Sequence, residues 1–212
     1  MRAAALILLW LGATLALAQA PSDHRHGFDD ATRWAGVFDD PKRDGWQKPH
    51  EVIEALALPP DAVVADIGAG TGYFSVRLAR MLPKGKVYAA DVETSMVQHL
   101  AARAKRDELV NLVAVQSDMD DARLPEKVDL ALFVDVVHHI TGRESYFRRL
   151  AKSLKAGGRV AIVDFRPDSE IGPPPRARIS AEHVKRQLAA AGYTLVAEHD
   201  FLPNQYFLVF RP

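Results

Sequence analysis

From about residue 49 onward, short apolar runs alternate with segments whose apolar residues recur at helical spacing. Five of these runs have the length of buried strands, at 62–67, 86–91, 111–116, 128–137 and 159–165. Such an alternation indicates a parallel sheet covered by helices on both faces. Two final β-rich runs, 193–201 and 205–210, lie too close together for a parallel crossover. The pattern predicts a doubly wound α/β domain with a mostly parallel, seven-stranded sheet that ends in an antiparallel hairpin.

Local signals predict where several helices begin and end. Ser95 and Thr141 are each followed three residues later by Gln or Glu, which is typical of a capping box. Ser180 is a further candidate N-cap. Gly157 and Gly158 are expected to end the helix that precedes the fifth strand.

The first strand runs directly into a loop in which Gly68, Gly70 and Gly72 stand at alternate positions, two residues after Asp66. Glycines without a Cβ let the backbone approach a ligand closely. A dinucleotide fingerprint needs a third glycine where this chain has Tyr73. A carboxylate here repels a pyrophosphate, so the loop favours a ligand that carries positive charge. A nicotinamide-dependent oxidoreductase and a tight turn without a ligand are the alternatives.

The segment from about Val63 to Phe165 resembles the class I S-adenosylmethionine-dependent methyltransferases, in particular the small-molecule (type 11, quinone-methyltransferase-like) branch. VVADIGAGTGYF, residues 63–74, resembles the first motif of that family, and LKAGGRVAIVDF, residues 154–165, resembles its fifth-strand motif. The resemblance implies a Rossmann-like fold and S-adenosylmethionine as the methyl donor. It also implies an enzyme of class EC 2.1.1.- that transfers the methyl group in line to a small-molecule acceptor.

The same resemblance implies which residues hold the cofactor. The glycine loop would wrap the methionine part, Asp91 would accept both ribose hydroxyls, and the acid of the segment 117–119 would take the adenine amino group. Asp135 falls beside the transferred methyl group. Asp91 as a solvated strand end and Asp118 as a turn residue are the alternatives. The complete implied set is Asp66, Gly68, Ala69, Gly70, Gly72, Asp91, Val92, Ser117, Asp118, Met119 and Asp135.

Four residues are candidates for contact with the acceptor. His138, after the fourth strand, is the candidate catalytic base or acceptor contact, with packing without proton transfer as the alternative. One of His138 and His139 is expected to face the pocket and the other the flank of the sheet. Arg166 is a candidate for an anionic acceptor, with an exposed salt bridge as the alternative, and Tyr206 is a weaker candidate.

The first twenty residues, MRAAALILLWLGATLALAQA, have the features of a secretory signal peptide. A positive start precedes an apolar run, and small residues offer cleavage after Ala18 or Ala20. The run is shorter than the ~20 residues of a membrane-spanning helix, so we expect cleavage and export, periplasmic or secreted, without stable membrane insertion. An uncleaved membrane anchor is the alternative.

Residues 21–47 are polar and without a regular pattern, and they are interpreted as an N-terminal arm in front of a domain at 48–212. Arg43 and Trp46 directly precede the first helix of that domain and are expected to form part of a lid over the cofactor. The histidines and carboxylates at 23–30 are suitable metal ligands, but no metal site is predicted there.

Composition excludes several other functions. The chain has no Cys, which excludes a disulfide scaffold, a zinc ribbon, a Cys nucleophile and arsenic-binding thiols. Its 27 basic and 27 acidic residues balance, so no positive field favours a nucleic-acid partner. The remaining alternative to an enzyme is an exported cofactor-binding sensor module without turnover.

Overall fold

A computed structural model describes residues 30–212. The predicted signal peptide and most of the candidate metal ligands near residue 25 lie outside the described residues. No helix within 30–212 is long and apolar enough to cross a bilayer. The described part also contains no cluster of three His, Asp or Glu side chains suited to a metal ion.

Strands and helices alternate over most of the chain from residue 49 onward, as the sequence predicts. The helices are α1 (Ala31–Phe38), α2 (Arg43–Gln47), α3 (Pro49–Ala55), α4 (Tyr73–Met81), α5 (Thr94–Arg106), α6 (Arg143–Leu150) and α7 (Ala181–Ala190). The strands are β1 (Val63–Ile67), β2 (Lys86–Asp91), β3 (Leu112–Gln116), β4 (Val128–Val134), β5 (Leu154–Phe165), β6 (Thr194–His199) and β7 (Gln205–Arg211).

The seven strands form one sheet in the order β3-β2-β1-β4-β5-β7-β6. β1 to β5 pair in parallel, and β7 runs antiparallel between β5 and β6. The predicted mostly parallel sheet with an antiparallel hairpin is confirmed. The winding direction reverses between β1 and β4, so the crevice at the carboxyl ends of these strands is where such sheets bind ligands.

Apolar side chains cover both faces of the sheet. Leu132 and Phe133, neighbours on β4, are both fully buried but belong to separate apolar clusters on opposite faces. Residues of α3, α4 and α5 pack on one face, and residues of α6 and α7 pack on the other. Phe147 of α6 lies with its ring centroid 5.3 Å from that of Phe133. The carboxyl ends of the central strands are therefore held on a rigid, doubly covered scaffold.

The predicted capping boxes are wrong at two helices. Glu93 is the N-cap of α5 and Gly142 is the N-cap of α6, and neither supplies a side-chain capping hydrogen bond. Ser95 therefore lies inside α5 rather than before it. Gly142 has φ +62°, a left-handed conformation that the chain needs to turn from the segment after β4 into α6. Ser180 is confirmed as a cap, because its side chain accepts a hydrogen bond from the His183 amide.

The expectation that Gly157 and Gly158 end a helix is also wrong. The helix ends at Leu150, and both glycines lie within β5 beside a register shift against β4. A Cβ on Gly158 would lie 3.1 Å from the Val128 carbonyl oxygen, so close strand approach explains this glycine.

The N-terminal arm is more regular than its sequence indicates. Its described part folds into α1 and α2, where an irregular segment was expected. The Asp30 carboxylate caps α1 by accepting a hydrogen bond from the Arg33 amide at 3.1 Å. Trp34 and Phe38 stack along α1 with ring centroids 5.3 Å apart. The two helices have only eight and five residues, too few for sequence periodicity to show them.

Candidate functional site

The glycine loop between β1 and α4 is fixed to the end of the neighbouring strand. The amides of Gly68 and Ala69 both donate to the carbonyl oxygen of Ala90, at 2.8 and 3.0 Å. Gly68 has φ +67°, and a Cβ there would lie 2.5 Å from a methyl group of Val136. Only glycine allows the loop to pass this close to the segment that follows β4.

Asp91 ends β2 directly beside this loop. Its carboxylate accepts hydrogen bonds from the amides of Gly70 at 2.8 Å and Glu93 at 2.9 Å. Burial raises the pKa of Asp91, and the backbone hydrogen bonds from Glu93, Gly70 and Val92 act against this rise. A carboxylate oxygen can accept two hydrogen bonds, so the carboxylate of Asp91 can still accept a hydrogen bond from a ligand.

Asp66 lies beneath the loop rather than on its surface. Its carboxylate accepts a hydrogen bond from the Ser75 hydroxyl at 2.5 Å. Burial raises the pKa of Asp66 to about 7, with Ser75 and the charge of Arg43 acting against the rise and Asp91 adding to it. A carboxyl that titrates near neutrality at this place responds to any positive charge that enters the loop.

The segment after β3 lies beside Asp91 on the sheet edge. Ser117 is buried, and its amide donates to the Asp91 carbonyl at 2.9 Å. Asp118 forms a surface ion pair with Arg123. Met119 is 52% exposed and Val92 is 40% exposed. These two open apolar side chains beside Asp91 are suited to cover a flat ring.

Asp135, directly after β4, has a carboxylate that lies next to three polar donors from distant parts of the chain. Its carboxylate accepts from Gln205 at 2.5 Å and Gln47 at 3.0 Å, and Arg43 lies 3.4 Å away. Burial raises the pKa of Asp135 to about 6, with the charge of Arg43 acting against the rise. The backbone of Asp135 has φ +59°, a rare conformation for a residue with a side chain. Such strain at a strand end is typical of functional sites.

The arm containing Arg43 lies directly over the glycine loop. The guanidinium of Arg43 sits 4.2 Å from the Tyr73 ring centroid and donates to the Phe38 carbonyl at 2.7 Å. The Phe38 ring approaches to 3.4 Å from where a Cβ on Gly70 would lie. Trp46 packs on Phe165, with ring centroids 5.6 Å apart. The structure thus places both predicted lid residues beside the crevice.

The two histidines occupy a single turn of 3₁₀ helix after β4, at Val137–His139. The His138 side chain is 4% exposed, and its Nδ1 lies 2.9 and 3.0 Å from the two carboxylate oxygens of Asp164. His139 is exposed, with its ring centroid 4.1 Å from that of His138. One histidine therefore points inward and the other outward.

Sequence reasoning missed Asp164 and Gln47. Asp164 lies near the end of β5, and β4 and β5 are parallel neighbours, so their carboxyl ends meet at one edge. An acid there, opposite a histidine that follows β4, was a usable signal. Gln47 had no such signal, because it lies on the arm and its partner Asp135 is 88 residues away.

The remaining candidates lie around a cleft beyond β5. Arg166 donates from its guanidinium to the carbonyls of Gln205 at 3.0 Å and Leu202 at 3.2 Å, and also to Pro203. This arginine braces the turn between β6 and β7. The cleft has a volume of about 690 Å³ and is lined by Arg166, Pro167, Ser180, Ala181, Glu182, Glu198, His199, Asp200 and Tyr206.

Tyr206 is 5% exposed, and its buried hydroxyl has no hydrogen-bond partner within residues 30–212. Burial raises the pKa of Tyr206. Buried polar groups are normally paired, so an unpaired hydroxyl beside a cleft is typical of a position that meets a ligand.

Comparison with known proteins agrees with this geometry. Residues 64–158 match the family model described as a methyltransferase domain. The chain is 25% identical to the structure of a SAM dependent methyltransferase from Aquifex aeolicus, with a TM-score of 0.79, over 85% of this chain and 97% of that one. The chain therefore has the methyltransferase Rossmann-like fold, and residues 64–158 match a methyltransferase domain.

Curated proteins that match this chain are also methyltransferases. A ubiquinone/menaquinone biosynthesis C-methyltransferase (UbiE) from Ectopseudomonas mendocina is 27% identical over 70% of this chain and 58% of that protein. The Vibrio vulnificus protein of the same name is 26% identical over 53% of this chain and 45% of that protein. The chain thus spans about half the length of these curated relatives. The glycopeptide N-methyltransferase MtfA complexed with S-adenosylmethionine shares the fold, with a TM-score of 0.65 at 15% identity.

Proposed function

We propose that the protein transfers the methyl group of S-adenosylmethionine to a small-molecule acceptor. The observation that carries the proposal is the glycine loop, with the Asp91 carboxylate bonded to the Gly70 amide at 2.8 Å where β1 and β2 end. Residues 64–158 match a methyltransferase domain, which supports the same reaction.

The residues at this edge fit the cofactor. Asp91 offers a two-oxygen acceptor for a pair of ribose hydroxyls, and the exposed Val92 and Met119 flank it for the base. Asp66 and Asp135 supply negative charge for the ammonium and sulfonium. When bound, S-adenosylmethionine supplies a methyl group already activated by the positive sulfur. The proposed cofactor residues are Asp66, Gly68, Ala69, Gly70, Gly72, Asp91, Val92, Ser117, Asp118, Met119 and Asp135.

The protein's own contribution is to align the acceptor with the methyl group. In well-oriented reactions such alignment lowers the activation barrier by roughly 7–11 kcal/mol. We place the acceptor at the edge formed by His138, His139 and Tyr206, next to Asp135. Arg166 is a weaker candidate because its guanidinium already donates to backbone carbonyls. The relatives named as quinone-biosynthesis methyltransferases support a small-molecule acceptor.

Titration calorimetry tests the cofactor site. We expect S-adenosylmethionine and its demethylated product to bind the wild type, NAD to give no heat, and Asp91→Ala to lower affinity at least 100-fold. Asp61→Ala is the matched control, because Asp61 is an exposed carboxylate at the opposite edge of the sheet. Unchanged affinity in Asp91→Ala would remove this residue from the site.

Incubation with methyl-labelled cofactor and a host-cell extract tests turnover. We expect label in a small-molecule fraction. Cofactor binding without any labelled product would favour the alternative, a sensor module that binds the cofactor and does not catalyse.

We also propose that residues 1–20 direct export of the chain. The positive start, the apolar run and the small residues before Pro21 support this. The intact mass of protein recovered from outside the cytoplasm should correspond to a chain that starts at Gln19 or Pro21. A full-length chain in the membrane fraction would instead show that the segment remains as an anchor.

A further inference from the structure

His138 and Asp164 form an almost completely enclosed pair at the edge of the proposed active site. Their side chains are 4% and 1% exposed, and both carboxylate oxygens lie within 3.0 Å of Nδ1. Both carboxylate oxygens of Asp164 therefore face the same ring nitrogen.

Asp164 is itself held in place by the backbone. Its Oδ1 accepts from the Phe165 amide at 2.8 Å, and its Oδ2 accepts from the His138 amide at 3.2 Å. An Asp carboxylate accepts hydrogen bonds and cannot donate them, and each oxygen here already accepts one from an amide. The ring nitrogen that faces it must therefore carry the proton.

A proton on Nδ1 leaves Nε2 of the neutral ring with a lone pair. No hydrogen bond to Nε2 is formed by any residue that the structure describes. Nε2 is therefore available to accept a proton, which is the requirement for a general base.

Charged groups on three elements act on this ring: Asp164 on β5, Asp135 after β4 and Arg143 at the start of α6. His139 stacks beside the ring, and the neutral Tyr206 of β7 faces the same two carboxylates. Burial acts to lower the pKa of His138, but the hydrogen bond and charge of Asp164, with the charge of Asp135, outweigh burial and Arg143 and raise it.

We propose that Asp164 is a positioning residue that holds His138 as a base with its lone pair on Nε2, and that the acceptor carries a proton on the oxygen or nitrogen atom that is methylated. This inference rests on the proposed methyl transfer. The acceptor O–H or N–H bond breaks and its proton binds Nε2. The freed electron pair forms the bond to the methyl carbon, and the carbon–sulfur electrons return to sulfur, leaving a neutral thioether. Hydroxyl and N–H acceptors fit this requirement, whereas thioethers and tertiary amines do not.

Nitrogen NMR of the full chain tests the pair without needing an acceptor. In long-range ¹H–¹⁵N spectra, with His138→Gln used to assign the signal among eight histidines, we expect the Nδ1–H tautomer and a pKa above 6.5. Asp164→Asn should lower the pKa of His138 by at least one pH unit and shift the ring toward the Nε2–H tautomer. Asp168→Asn is the matched control, since Asp168 is 86% exposed on the loop after β5.

A wild-type spectrum with the Nε2–H tautomer, or a pKa at or below 6.5, overturns the proposal even if Asp164→Asn fails to fold. The product of the labelling experiment tests the acceptor class. A methyl group on an oxygen or nitrogen that carried hydrogen supports it, and one on a thioether, a tertiary amine or a carbon atom contradicts it. Loss of cofactor binding would overturn the proposed function and leave the NMR result standing.

Discussion

At the residue scale, the site concentrates carboxyl groups that are buried before any ligand arrives. The pKa of Asp66 rises to about 7 and that of Asp135 to about 6, in both cases chiefly because burial disfavours the charged form. Isolated buried carboxylates are costly, and a cationic ligand offsets that cost. Without a ligand, the buried charge of these residues costs free energy. A cofactor with an ammonium and a sulfonium would offset that cost, so the two residues are suited to bind one.

Asp66 gives a pH-dependent stability that can be measured. Its folded pKa of about 7 exceeds the ordinary value of 3.8, so the folded chain binds an extra proton between these values and stability falls as pH rises. Asp66→Asn lacks this ionisation. Relative to this variant, wild type should lose roughly 2–3 kcal/mol of unfolding free energy between pH 5 and pH 8. Urea unfolding at both pH values measures it.

Asp61→Asn is the control for that series, because Asp61 is exposed and its replacement should leave the pH dependence of the wild type intact. A wild type and Asp66→Asn whose stabilities change in parallel between pH 5 and pH 8 would show that Asp66 does not titrate in this range.

Also at the residue scale, the sequence predicts contacts between site residues where those residues lie close together in the chain. The glycine loop and Asp91 are close in the chain, and the structure places them in contact. The partners of Asp135 could not be predicted, because Gln47 and Gln205 lie 88 and 70 residues away from it. Hydrogen bonds between distant segments depend on how the whole sheet edge assembles, and no local pattern encodes them.

At the scale of elements, periodicity predicted strands better than it predicted their ends. The strand expected at 128–137 stops at Val134, because Asp135 turns into a left-handed conformation and a 3₁₀ turn follows. An apolar run continues through 134–137 because Val137 is buried against α6 and β5 rather than paired in the sheet. Hydrophobicity reports burial, and burial continues after hydrogen-bonded pairing has ended.

Helix caps show the same limit. Capping boxes were expected from spacing at Ser95 and Thr141, but the chain enters these helices through Glu93 and Gly142. Ser180, whose prediction held, follows an extended loop that leaves its side chain next to the first turn of α7. A residue with the right spacing caps a helix only if the preceding segment places its side chain next to the amides of the first turn. The path of that segment is set by tertiary packing.

At the scale of the whole molecule, the arm and the α/β core meet over the glycine loop between β1 and α4. Arg103 of α5 joins the two, because its Nη1 lies 2.9 Å from both oxygens of Asp39 on the arm and 2.8 Å from the Thr71 carbonyl in the loop. The arm also reaches the core through Asp44, which pairs with Arg77 at 2.8 Å. Access to the loop therefore depends on ion pairs between the arm and the core rather than on a closed core alone.

Breaking the Arg103 contact should release the arm while the core stays folded. Hydrogen bonds to charged groups contribute about 1.5–3 kcal/mol each, so Arg103→Gln should speed amide exchange in α1 roughly 10- to 100-fold and leave exchange in β4 unchanged. Hydrogen–deuterium exchange followed by mass spectrometry measures both. Arg106→Gln is the control, because Arg106 lies on the same helix, is 62% exposed and bonds within residues 30–212 only to its neighbour Asp107. Equal exchange in α1 for both variants would show that Arg103 does not hold the arm.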